Sequence, residues 1–97
     1  GGTANKDRAI KGFKIIQSDS NVKSVLINIF GGIIHCDMIA NGIVDAVKEL
    51  NFKLPIVVRF QGTNASEGRD IINKSLLGLT SIDDFTEAAK KAVELAK

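Results

Sequence analysis

The chain has 97 residues, 44% hydrophobic and 25% charged, which fits one domain at the small end of the usual range with a modest core. Lys and Arg number 13 against 11 Asp and Glu, with both signs interspersed, and Trp and Tyr are absent, so neither a basic stripe nor a base-stacking platform points to nucleic acid. One cysteine, Cys36, excludes an intramolecular disulfide and a zinc set, and no apolar run nears the roughly 18 residues of a membrane span.

Gly1-Gly2-Thr3 leads straight into a helical pattern with Ala9, Ile10, Phe13 and Ile16 on one face and Thr3 as its cap. A Gly-Gly-Thr turn feeding a helix is what normally follows a strand. We therefore expect the chain to begin partway through a larger domain. Ser18 to Asn21 is a polar break, and Val22 to Phe30, rich in β-branched residues, reads as a strand buried on both faces.

At Ile29-Phe30-Gly31-Gly32-Ile33-Ile34-His35-Cys36-Asp37 the strand pattern stops at a Gly pair, which reads as a tight turn, and a helical one begins. Glycines there permit close approach of another group to the backbone. The helix start that follows leaves unpaired N–H groups and a partial positive charge, so the joint can hold a phosphate or carboxylate. The alternative is a Gly pair that simply turns the chain.

Ile39, Ile43, Ala46, Val47 and Leu50 carry the next helix, and Leu54 to Phe60 the next strand. Strand, helix, strand over about 35 residues is a βαβ unit with a parallel pair. Gln61-Gly62-Thr63-Asn64 repeats the joint, with Asn64 and Glu67 spaced as a capping box. Ile71, Ile72 and Leu76 supply the buried side of the helix after it. Leu77 to Thr80 is a short third strand, Ser81 to Asp84 a cap, and Phe85, Ala88, Ala89, Ala92, Val93 and Ala96 the continuous stripe of a last helix.

Parallel α/β sheets bind ligands beyond the carboxyl ends of their strands. Gly31 to Ile34 and Gly62 to Asn64 fall on that edge, and two amide-rich turns there favour an anion site. His35 suits an acid, base or phosphate carrier, but no nucleophile pattern accompanies it, and we expect it to serve in positioning at the helix start. Cys36 is either a dipole-stabilised thiolate or a small core residue; we expect the latter. Asp37 is a partner for the helix dipole that weakens an anion's hold nearby. Arg59, at a strand end, either binds an anion or interface carboxylate or simply leaves the core. Gly-x-Gly-x-x-Gly and Walker A patterns are absent, as are metal-ligand clusters.

Asn28-Ile29-Phe30-Gly31-Gly32-Ile33-Ile34, Cys36-Asp37, Ile39-Ala40, Gly42-Ile43, Val57-Val58-Arg59 and Gly62-Thr63-Asn64, with the Ala-rich last helix, closely resemble the β-subunit family of succinyl-CoA synthetases, the ADP- or GDP-forming succinate-CoA ligases. The resemblance covers essentially the whole chain. It implies a three-layer α/β flavodoxin-like parallel sheet with helices on both faces, truncated at its N-terminal strands, with the ATP-grasp region absent.

It further implies an α subunit as partner, which carries the phosphorylated histidine and CoA, and Mg²⁺ with ATP or GTP in the absent region. No cofactor, metal or catalytic residue is then expected in residues 1–97. Gly31, Gly32, Ile33 and Ile34 would contribute to the site for succinate and phosphate at the α/β junction, with Arg59, Gly62, Thr63 and Asn64 as a secondary anion or interface set. The location implied is the bacterial cytoplasm or the mitochondrial matrix. His35 departs from the arginine expected of many relatives. Malate-CoA ligases and citrate-cleaving lyases share parts of the turn, and a stand-alone anion-binding regulatory module is the alternative of another class. Truncation also predicts that the first strand lies at a sheet edge, with self-association through that edge or a displaced first helix.

Overall fold

The computed structural model describes residues 2–97, apart from the side chains of residues 2–4 and 31–34. Its elements run α1 (Gly2–Gln17), β1 (Val25–His35), α2 (Cys36–Leu50), β2 (Ile56–Thr63), α3 (Ala65–Lys74), β3 (Leu79–Ser81) and α4 (Phe85–Leu95). The strands form one parallel sheet in the order β1-β2-β3, with α2 and α3 as the connections. This is the flavodoxin-like α/β arrangement expected.

Successive strand residues point to opposite faces, and the apolar ones sort accordingly. Val25, Ile27, Ile29, Ile56, Val58 and Phe60 join the core built with α1, α2 and α3. Leu26 and Val57 instead meet Ala88, Ala92 and Leu95 of α4. Helices therefore cover both faces, three on one and α4 on the other.

Ile56, Val57 and Val58 have no accessible surface, and each such aliphatic side chain stabilises the fold by about 1.5–3 kcal/mol. The strand buried on both faces is thus β2. The expectation that β1 would be so is corrected: Val25, Leu26, Ile27 and Ile29 are half-buried and Phe30 is 64% exposed. A neighbour on one side only gives less cover, and β1 lies at a sheet edge as anticipated.

Helix α1 is seated on α2 rather than displaced. Phe13 is buried with its ring 4.7 Å from that of Phe52, and Lys6 Nζ lies 2.7 Å from Glu49 Oε1. Gly42 allows this approach, because a Cβ there would stand 2.9 Å from Cβ of Asn5. The cap expected of Thr3 lies outside the described residues.

Two further expectations are corrected. Leu76 is not on the buried side of α3, which ends at Lys74, where the Ser75 N–H and hydroxyl both donate to the Ile72 carbonyl. Leu76 then adopts φ +56° and is 89% exposed. The α4 stripe also divides: Ala88 and Ala92 face the sheet, while Phe85 and Val93 face outward. Asp84 caps α4 as expected, its Oδ2 accepting from the Glu87 N–H at 2.9 Å.

Candidate functional site

Strand β1 extends past Phe30, where the sequence pattern ended it at a Gly-Gly turn, and α2 starts at Cys36 with His35 as the residue before its first turn. Pairing with β2 runs in register to Gly31 opposite Gly62, breaks, and resumes with His35 opposite Thr63. The two joints singled out in the sequence are therefore neighbours at the carboxyl edge. The side chains of Ile33 and Ile34, and the local surroundings of Gly31 and Gly32, lie outside the described residues.

Asn64 does not form the expected capping box. It has left-handed backbone, φ +60°, and its side chain makes no bond to its own helix. Instead Asn64 Nδ2 donates to Asp37 Oδ1 in the first turn of α2, at 3.1 Å. A capping bond typically contributes about 1 kcal/mol, and left-handed backbone at a residue bearing Cβ costs roughly 1–2 kcal/mol, less for Asn. Two local preferences yield here to one contact across the edge. That bond is the main reason the Asp37 carboxyl lies below its ordinary value of 3.8, with the N–H groups of Met38 and Asp37 adding to it.

Beside this pair, α3 presses onto α2. Gly68 is buried against Cys36, so closely that a Cβ would lie 3.0 Å from the Cys36 carbonyl oxygen and 3.1 Å from its Cβ. Cys36 has no accessible surface. Burial, and then the charge of Asp37, push its thiol above the ordinary 9.0. Cys36 is a core residue rather than a dipole-stabilised thiolate.

Arg59 leaves the core toward α4 and ties three segments. Its Nε donates to the Asp83 carbonyl at 2.9 Å, Nη1 to Asn28 Oδ1 at 3.0 Å and Nη2 to Gln61 Oε1 at 3.3 Å. The guanidinium also lies 5.7 Å from the centroid of the Phe85 ring, a cation-π contact. The Asp83 carboxylate receives Arg69 of α3 at 2.7 Å. Arg59 thus braces the β3–α4 loop against β1 and β2. Gly62, with φ +142°, and the exposed Thr63 and Asn64 lie on the same edge.

A cleft of about 310 Å³ lined by Asn5, Arg8, His35, Met38 and Ile39 opens between α1 and the start of α2. The larger groove, about 620 Å³, follows the outer side of α4 past Phe85, Ala89 and Val93. Among the described residues no group of three His, Cys, Asp or Glu could hold a metal ion, and no helix is long and apolar enough to cross a membrane.

The CoA-ligase family profile matches residues 1–93. The chain belongs to the CoA-ligase family. The protein of Shewanella sp. strain ANA-3 named succinate-CoA ligase, ADP-forming, subunit beta is 55% identical over 97 residues, all of this chain and 25% of that protein. Proteins of the same name from Colwellia psychrerythraea strain 34H and Shewanella baltica strain OS155 give the same identity and coverage. This CoA-ligase chain therefore spans about a quarter of the length of these curated relatives.

Sequence reasoning found both joints of the CoA-ligase edge but missed Asn28, Gln61 and Asp83 as partners of Arg59. A signal existed. Arg59 and Gln61 are two apart in one strand, hence on one face, and Asn28 is the polar interruption near the end of the neighbouring run.

Proposed function

We propose that this chain is the carboxyl-terminal part of the β subunit of a succinate-CoA ligase, which forms succinyl-CoA from succinate, CoA and ATP or GTP. In the complete subunit it presents Gly31, Gly32, Ile33 and Ile34 and the N-terminus of α2 to succinate and to a phosphohistidine carried by the α subunit. Arg59, Gly62, Thr63 and Asn64 form a second anion or interface set on the same edge. The observation that carries this reading is 55% identity along the whole chain to proteins of that name.

Physical chemistry supports the same edge. Helix N-termini favour negative charge, and the register of β1 with β2 brings the α2 and α3 joints side by side. Mg²⁺ and the nucleotide are assigned to a part of the longer subunit outside these residues, and CoA to the α subunit. The open edge of β1 and the outer side of α4 receive the remainder of the domain, and the 97-residue chain alone is inactive, associating with itself through that edge at high concentration. The complete enzyme works in the cytoplasm of a bacterium or the mitochondrial matrix.

The test is coexpression of the full-length subunit with its α partner, followed by acyl-CoA formation from succinate and, separately, malate. Succinate-dependent turnover that requires both chains is expected. A full-length chain that purifies without a CoA-binding partner, or that turns over malate and not succinate, would overturn the assignment.

A further inference from the structure

The arginines of this chain have unequal surroundings. Arg59 is bonded to the β3–α4 loop and Arg69 is paired with Asp83, whereas Arg8 makes neither an ion pair nor a hydrogen bond among the described residues. Arg8 lines the cleft of about 310 Å³ between α1 and the start of α2. The Asn5 amide and the His35 imidazole line the same cleft, and neither makes a hydrogen bond among the described residues. Asp37 lies close enough to His35 for their charges to interact, so the cation that decides the cleft's preference is Arg8.

Helical spacing builds the two walls. Asn5 and Arg8, three apart, share one face of α1, and His35 and Ile39, four apart, share one face at the start of α2. The walls are held before any ligand arrives: Asn5 stands against Gly42, where a Cβ would lie 2.9 Å from its own, and Lys6 is tied to Glu49 at 2.7 Å on the same pair of helices. Met38 and Ile39 supply the apolar part of the lining. Small-molecule sites combine such an apolar lining with a few convergent polar groups, and a guanidinium offers a planar fork of donors matched to a carboxylate.

We infer that this cleft takes a short dicarboxylate by the carboxylate that does not react, with Arg8 as the residue that binds it, Asn5 and His35 as further donors, and Met38 and Ile39 against the methylene stem. The inference rests on the proposed succinate-CoA ligase activity, in which one of succinate's two carboxylates becomes the thioester and the other stays free. His35 directly follows Gly31 to Ile34, the residues assigned to succinate, so the cleft adjoins that set in the chain.

The experiment uses the full-length β subunit assembled with its α partner, with succinate as the probe. Arg8 is exposed and in a helix, so Arg8→Ala is expected to fold. Its KM for succinate should rise at least about tenfold with kcat changed less than about twofold, as when binding common to ground and transition states is lost. Millimolar guanidinium added to Arg8→Ala should lower KM again and leave the parent unchanged. Arg8→Lys, which keeps the charge without the fork, should fall between parent and Arg8→Ala. The affinity of the β subunit for its α partner should be the same in all three.

Unchanged KM in Arg8→Ala overturns the inference. So does a raised KM that guanidinium does not lower, because Arg8 would then act through the structure. Weakened association with the α subunit at unchanged KM also overturns it, and hands the cleft to an acidic side chain of that partner. Lack of succinate turnover in the parent complex is a different result: it removes the activity assignment itself, and the inference with it.

Discussion

A Cβ placed on Gly68 would stand 3.0 Å from the carbonyl oxygen of Cys36, closer than ordinary packing allows, whereas a Cβ on Gly12 meets nothing within 4 Å. Both residues lie within helices, so alanine gains about 1 kcal/mol of helix propensity at either position. At Gly68 that gain is outweighed by overpacking of about 1–3 kcal/mol, because the neighbour is backbone and cannot rotate aside. Gly68→Ala should lower the urea midpoint, and Gly12→Ala should raise it. Equal shifts of one sign would show that α3 and α2 are not in close contact.

Leu76→Gly should stabilise the chain. The left-handed backbone of Leu76 costs roughly 1–2 kcal/mol, and its exposed side chain contributes little burial in return. Glycine removes the strain while adding about 0.4–1 kcal/mol of unfolded-state entropy. A net rise in the unfolding midpoint, without change in its slope, is the expected result.

Arg59→Lys should loosen the start of α4. Lysine carries a point charge and cannot direct a planar fork of donors at Asp83, Asn28 and Gln61 together. A loss of about 1–2 kcal/mol is expected, with faster amide exchange at Phe85 to Ala88 than in the parent. Protection of those amides at the parent level would mean that Asp84 alone holds the helix end.

The pH response has two limbs of opposite sign. Asp37 has a carboxyl held below 3.8, first by the Asn64 bond, so its contribution is present above that value and is lost as pH falls through the folded pKa. Lys6 has an amine raised above 10.5 by Glu49, so its contribution is present below that value and is lost as pH rises through the folded pKa. Urea midpoints measured against pH should show Asn64→Gly flattening only the acid limb and Lys6→Met only the alkaline one. The Cys36 thiol, raised by burial, should react with a disulfide reagent at neutral pH only after unfolding.

The architecture was legible because periodicity survives in a short chain. The face of α1 with Phe13, the apolar run of β2 and the cap at Asp84 all lie where local patterns put them. Burial of β1 and the fate of Leu76 were not legible, since one depends on having a single strand neighbour and the other on where Ser75 ends α3. At the carboxyl edge, spacing located both joints. It misassigned Asn64, because the three-residue interval to Glu67 is visible in sequence while a partner 27 residues away is not. Tertiary geometry overrode a sound local rule at one position.

The unequal cover of the sheet sets an order of opening. The α1–α3 side is held by interlocked large side chains, among them Phe13, Phe52, Phe60 and Ile72, while α4 is seated mainly through Ala88 and Ala92 and the bond from the Ser24 hydroxyl to the Ala92 carbonyl. Small side chains bury little area, so detaching α4 costs less than separating the opposite layer. In native-state exchange α4 should therefore open as its own unit before the β1–β2 amides lose protection. The domain behaves as a firm half with a latch, and Arg59, which grips the loop ahead of α4, is the side chain on which the latch closes.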